Sequence, residues 1–254
     1  MAKPSRPPSW PSWAEVFRRV KPREPMRISA IIVAAGSSRR MGFDKLGADL
    51  GGETVLVRSM LAMASCPEVV ELRVVTNSDR IEEVTKSARR LGIASFVEAL
   101  PGGAERHLSV AAGLERVGLD CDLVAVHDAA RPLVTAEAIQ RCAEMAFSHG
   151  GASLAHRVVD TLKRADESGE VCEAVSRENL WAMETPQIFR TDLLREAYAT
   201  VLSQGALVTD EVSALTAIGQ RVLLVENTTP NLKITVAGDL ALARKCWESA
   251  RATC

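Results

Sequence analysis

The sequence predicts an α/β protein with a mostly parallel sheet, and three observations carry that reading. From Arg27 onward, apolar runs of strand length alternate with stretches of helical length, the order that right-handed crossovers produce. Ile31, Ile32, Val33, Ala34 and Ala35 form an unbroken apolar run, as a strand covered on both faces requires. Polar residues gather where such runs stop, in GSSRRMGFDK after the first and HDAARP after a later one. Open α/β sheets bind ligands at the carboxyl ends of their strands.

The elements follow in order. After the first strand, Thr54 to Ser65 reads as a helix, VELRVVTN as a strand, Asp79 to Leu91 as a helix, Ala94 to Leu100 as a strand and Glu105 to Val117 as a helix. LVAVHDAARP is the next strand. Between Gly150 and Thr191 the pattern changes: HRVVDTLKRA and EVCEAVSREN are extended candidates separated by the turn-forming DESG. This region, about 155–180, reads as a protruding β-hairpin arm rather than another crossover. An isolated hairpin is marginal in water, so the arm is expected to pack on a second subunit. Helices over Asp192 to Leu202 and Asp210 to Ile218, a strand RVLLVEN, the alternating strand-like segment NLKITV and a helix from Gly238 complete the chain.

At 254 residues, 47% hydrophobic and 25% charged, the chain can bury a large core and suits one elaborated α/β domain, or at most two small ones. Thirty-one Lys and Arg against 32 Asp and Glu leave a net charge of -1. No global attraction to nucleic acid or membrane is expected. The six cysteines, at 66, 121, 142, 172, 246 and 254, form no C-x-x-C pair and no zinc-closing spacing, which points to a reducing compartment. No apolar run is long enough to span a bilayer, and the N-terminus lacks a secretory signal. A cytoplasmic location is expected. Residues 1–26, rich in proline and basic side chains, read as a flexible leader, with a short helix possible over Trp13 to Val20. Trp10, Trp13 and Phe17 either dock or belong to an untethered terminus. Residues 27–254 form the folded domain.

The first strand's loop carries the chemistry. Arg39, Arg40 and Lys45, beside the backbone N–H groups of a glycine turn, suit several phosphates whose charge must be neutralised before another anion approaches. A dinucleotide fingerprint needs glycine where Ser38 stands, and a P-loop needs Gly-Lys-Ser/Thr, whereas Lys45 lies between Asp44 and Leu46. The loop reads as a nucleoside triphosphate site, or as a solvated basic loop.

AAGSSRRMGFDK, GGAERHLSV, VHDAARP, DTLKRA, SRENLWAMETPQIF, TDEVSAL and NLKITVAGDLALA occur in one order over nearly everything after Arg27. In that order and spacing they resemble the 2-C-methyl-D-erythritol 4-phosphate cytidylyltransferases. The resemblance implies a Rossmann-like nucleotidyltransferase core. It implies transfer of CMP from CTP to methylerythritol phosphate, with release of pyrophosphate, in isoprenoid precursor biosynthesis. It also implies a homodimer whose arms complete the partner's active site, and Mg2+ bound mainly through the CTP phosphates, with no protein metal ligand assigned. A cytidylyltransferase for another polyol phosphate, such as ribitol 5-phosphate, or a non-catalytic nucleotide-binding regulator remains open.

By the same resemblance, Arg40, Lys45 and Lys233 form the catalytic charge clamp on the triphosphate. The backbone at Ala34, Ala35, Gly36, Gly102 and Gly103, with Ser109, reads the cytosine. Asp128, Arg131, Thr161, Thr185 and Thr209 surround the acceptor, and Arg177 comes from the other subunit. Taken singly, Gly102 and Gly103 suit a turn after Pro101, and Arg131 and Thr185 suit turns before Pro132 and Pro186. Ala104 stands where some relatives carry an acidic residue, and Ser38 replaces a frequent second glycine. His107, His127, His149 and His156 share no spacing and read as packing or surface residues, although His127 adjoins Asp128 at a strand end. Trp181 and Met183 read as packing residues.

Overall fold

The computed structural model describes residues 26–36, 44–93 and 97–252. The expected leader, apart from Met26, and the expected clamp residue Arg40 lie outside them. Seven strands form the central sheet: β1 (Ile28–Ala34), β4 (Val69–Thr76), β5 (Val97–Pro101), β6 (Leu123–Asp128), β7 (Gly151–Arg157), β10 (Trp181–Arg190) and β11 (Leu223–Glu226). Their spatial order is β11-β7-β10-β6-β1-β4-β5. All pairings are parallel except those of β10 with β6 and β7. Two small antiparallel pairs, β2 (Asp49–Leu50) with β3 (Glu53–Thr54) and β8 (Leu162–Ala165) with β9 (Val171–Val175), stand apart from it.

Among the described residues seven α-helices flank the sheet: α1 (Val55–Ala64), α2 (Ile81–Arg90), α3 (Arg106–Glu115), α4 (Ala136–His149), α5 (Thr191–Gln204), α6 (Glu211–Ala217) and α7 (Ala237–Ala252). Alternate residues of β1 divide between two cores. Ile28, Ala30 and Ile32 pack with Met60 of α1, Ile139 of α4 and Leu240 of α7. Ile31 faces the other way, with Val110 of α3, Leu194 of α5 and Leu215 of α6. Burying each such large aliphatic side chain contributes roughly 1.5–3 kcal/mol, so the three-layer sandwich is the outcome of the apolar run in β1. Thr54, Thr135 and Asp210 cap α1, α4 and α6 through their side chains.

The chain builds outward from β1 to β4 and β5 on one side, then returns to place β6 on the other. Strand order reverses at the carboxyl ends of β1 and β6, which is where a crevice opens in such sheets. Val33 pairs with Asp128 there.

Two expectations need correction. The region between Gly150 and Thr191 is more than an arm: β7 and β10 are core strands of the main sheet, and only β8 and β9 form the separate hairpin. In the hairpin turn, Asp166 Oδ1 accepts from Ser168 N at 2.9 Å and Glu170 N at 3.0 Å. NLKITV is not a strand. It runs irregularly across the carboxyl end of the sheet, with Ile234 N donating to Ala130 O at 2.9 Å.

Candidate active site

A crevice of about 230 Å³ occupies the reversal point, lined among others by Ala34, Gly36, Lys45, Gly103, Asp128 and Lys233. Lys45 enters from a tight turn built by Asp44, whose carboxylate accepts from Leu46 N (3.2 Å) and Gly47 N (3.1 Å) and pairs with Arg80. A Cβ on Gly47 would sit 2.4 Å from Asp44 Oδ2, so a larger residue would push the Asp44 carboxylate out of this turn. Lys45 Nζ donates to Ile234 O at 3.0 Å. That bond ties the loop after β1 to the segment carrying Lys233.

Asp128 ends β6 and is 8% exposed. Lys233 Nζ lies 2.8 Å from its Oδ2, Arg106 Nε 3.6 Å from Oδ1 and Arg131 Nε 3.7 Å from Oδ2. Burial alone would raise its pKa, but Lys233, Arg106 and Arg131 outweigh burial and hold it at about 2. One carboxylate therefore gathers three cations, two of which, Lys233 and Arg106, line the crevice.

A hydrogen-bond chain fixes the strand end behind it. Asp128 N donates to Thr185 Oγ1 at 3.0 Å, and that hydroxyl lies 3.1 Å from His127 Nδ1. His127 Nε2 is 3.0 Å from Arg131 O, a carbonyl that can only accept. The imidazole therefore carries its proton on Nε2, and Thr185 donates to Nδ1. Burial pushes the His127 pKa down from 6.5 to about 4. An unfolded chain would take up this proton near the unperturbed value. The linked contribution to stability is therefore full above pH 6.5 and falls as pH drops toward 4. An NMR titration should find the His127 midpoint near 4; a midpoint at the unperturbed value would contradict this arrangement.

Motif reading left Arg106 and Glu211 without roles. Arg106 donates to Glu211 Oε1 at 2.7 Å and Oε2 at 3.0 Å, and Tyr198 Oη donates to Oε1 at 3.0 Å. Gln187 Oε1 accepts from the backbone N of Glu211 at 3.1 Å. Burial opposes the Arg106 charge, yet Glu211 and Asp128 hold its pKa above the ordinary value. Both residues sit in motif blocks, GGAERHLSV and TDEVSAL, but no spacing rule pairs a helix start with one 105 residues away.

Opposite these charges the wall is small and close to the backbone. A Cβ on Gly102 would meet Ala35 Cβ at 2.3 Å and Ser109 Oγ at 3.0 Å. The Ser109 hydroxyl accepts from Gly103 N at 3.1 Å and lies 3.2 Å from Glu105 O, so it shapes this loop. Of the residues singled out from sequence, Ala34, Ala35, Gly36, Lys45, Gly103, Ser109, Asp128 and Lys233 line the crevice. Gly102 lies directly behind its wall, and Arg131 and Thr185 bind Asp128 from the side. Thr161 and Arg177 are instead exposed beside the β8–β9 hairpin, where Arg177 donates to Val159 O. Thr209 is exposed before α6, its hydroxyl 3.4 Å from that of Ser213.

The carboxylates lining the crevice are Asp128 and Glu105, and among the described residues no three His, Cys, Asp or Glu side chains cluster to hold a metal ion. The Asp-x-Asp pair Asp120 and Asp122 precedes β6 at the opposite end of the sheet and binds Arg27. Among the described residues, no helix is long and apolar enough to cross a membrane.

The family described as 2-C-methyl-D-erythritol 4-phosphate cytidylyltransferase matches residues 28–248. A protein of that name from Caldanaerobacter subterraneus subsp. tengcongensis is 36% identical over 221 residues, covering 86% of this chain and 97% of the relative. A chloroplastic one from Oryza sativa subsp. japonica is 36% identical over 220 residues, covering 86% of this chain and 73% of the relative. The crystal structure of the Thermus thermophilus protein of the same name superposes with a TM-score of 0.72 at 33% identity, covering 89% of this chain and all of that one. The chain belongs to the 2-C-methyl-D-erythritol 4-phosphate cytidylyltransferase family.

Proposed function

We propose that this protein transfers CMP from CTP to 2-C-methyl-D-erythritol 4-phosphate, releasing pyrophosphate, as a step in isoprenoid precursor synthesis. The observation that carries the reading is the meeting of Lys45 and Lys233, from opposite ends of the chain, in one crevice at the sheet's reversal point. Two polyanions must touch for this reaction, and fixed cations lower the cost of bringing them together.

An oxygen of the acceptor phosphate attacks the α-phosphorus, and the bond from that phosphorus to the bridging oxygen breaks. The electron pair leaves with pyrophosphate. The attacking phosphate is already ionised, so no side-chain nucleophile is needed. Lys45 and Lys233 take up charge on the α-phosphate and leaving group, with Arg40, five residues before Lys45 in the sequence, as a third cation. Ala34 to Gly36 and Gly102 to Gly103 bring backbone polar groups close to the base, with Ser109 holding that wall in shape. Asp128, Arg131, Thr185 and Thr209 receive the polyol and its phosphate. Mg2+ suits a site of this kind by riding on the triphosphate, where it neutralises charge while keeping waters. Asp128 is engaged with three cations and is not needed to hold it.

The protein acts in the cytoplasm as a homodimer, in which the β8–β9 hairpin carries Thr161 and Arg177 to the partner's crevice. That assignment accounts for an exposed hairpin that a single chain leaves with little packing. Mixing Arg177→Ala subunits with Lys45→Ala subunits should restore part of the activity, since one crevice in each heterodimer is then intact. No recovery despite confirmed mixing would contradict a shared site. Pyrophosphate release with each acceptor decides the substrate: turnover with methylerythritol phosphate is expected. Efficient turnover only with ribitol 5-phosphate, or CTP binding with no release, would overturn the assignment.

A further inference from the structure

Lys233 sits on a segment without regular secondary structure, so something other than a ladder of backbone bonds must fix its course. Glu184 occupies the place in β10 where the register with β7 shifts, and it is 5% exposed. Its Oε1 lies 2.7 Å from His156 Nδ1, and its Oε2 accepts from both Asn227 Nδ2 and Asn231 Nδ2 at 2.8 Å. Asn231 gives its second amide proton to Thr185 O at 2.8 Å, and its backbone O accepts from Arg131 at 2.7 Å. Asn227 N donates to Ala155 O at 2.8 Å. The chain thus leaves β11, is gripped twice by one carboxyl group, and reaches Lys233 two residues later. Ile234 follows, with its N bound to Ala130 O and its O to Lys45.

We infer that Glu184 is a positioning residue for Lys233. It acts through Asn227 and Asn231 from behind the crevice. A buried carboxyl is a costly way to fill space, and an apolar side chain of similar size would pack there without two asparagines to meet it. What Glu184 supplies is an acceptor for two donors on one loop, which places the ammonium group against Asp128 and the α-phosphate. This rests on the role given to Lys233 above.

The test uses Glu184→Leu, Glu184→Gln and Asn231→Ala in the full chain. Glu184→Gln keeps an oxygen for both asparagines and is expected to retain most of the turnover. Glu184→Leu is expected to lower kcat by about 10–100-fold, with KM for CTP changed by less than about threefold and faster amide exchange at Asn227 and Ile234. Asn231→Ala, cut from the other side of the clamp, should reproduce this if Glu184→Leu does not fold. In a Lys233→Ala background the second substitution should cost little more, because both act through one ammonium group. Unchanged exchange at Ile234, or the same fall in kcat with and without Lys233, would overturn the proposal. If Lys233→Ala turns over normally, the proposed chemistry falls instead, and amide exchange alone decides whether Glu184 holds the segment.

Discussion

Lys233→Ala is expected to lower kcat by about 10²–10³-fold, the range seen when one preorganised group is removed from a developing negative charge. Lys45→Ala should act alike. The loss should fall on kcat more than on KM, because the charge each lysine meets is greatest in the transition state. Stability should move little. The Lys233 side chain is 42% exposed, so its pair with Asp128 is screened and contributes less than about 1 kcal/mol, and Asp128 keeps Arg106 and Arg131 nearby. Lys45→Ala is the exception, since it loses the bond to Ile234 O, about 1.5–3 kcal/mol for a charged donor. Pyrophosphate release at saturating substrates, alongside thermal unfolding, checks both. Near-normal turnover in either folded variant contradicts the charge clamp.

Glu211→Ala is expected to destabilise the fold by about 3 kcal/mol, since removing one partner of a buried ion pair leaves the other uncompensated. For a domain of this size that is roughly 10 °C in Tm. Glu211 is fully buried, and its loss leaves the Tyr198 hydroxyl without this acceptor and the Arg106 guanidinium with Asp128 3.6 Å away. Structure and function can be separated by replacing the pair: Glu211→Leu with Arg106→Met should regain much of the lost stability, as buried pairs often yield to apolar groups of similar volume. Activity should stay low, because Arg106 also lines the crevice and bears on Asp128. Urea unfolding measures the first effect and turnover the second. A single variant as stable as the parent, or a fully active double variant, would contradict these roles.

Legibility in the sequence followed the reach of each interaction. β1 was plain because its apolar run is buried on both faces, and the helices were plain because caps such as Thr54 and Asp210 act within one turn. β7 was obscured: its buried residues, on both faces, are Gly151, Ala152, Ser153 and Ala155 with a single Leu154, a composition with little strand signature. β10 was obscured by Pro186 within its run, since proline argues against a central strand. NLKITV alternates as strands do, yet side-chain bonds at Asn231 and backbone bonds at Ile234 fix it instead. At the crevice, residues that follow strand ends were readable from position alone. The pairs Arg106–Glu211 and Glu184–Asn231 were not, because each joins elements that only the finished sheet brings together.

A crystal structure of the protein with CTP and magnesium bears most directly on whether cations from distant parts of the chain share one phosphate site. The account predicts the triphosphate in the crevice between β1 and β6, with Lys45 Nζ and Lys233 Nζ each about 3 Å from phosphate oxygens and the cytosine against Gly102 and Gly103. A triphosphate bound elsewhere, or bound there with both ammonium groups turned away, would contradict it.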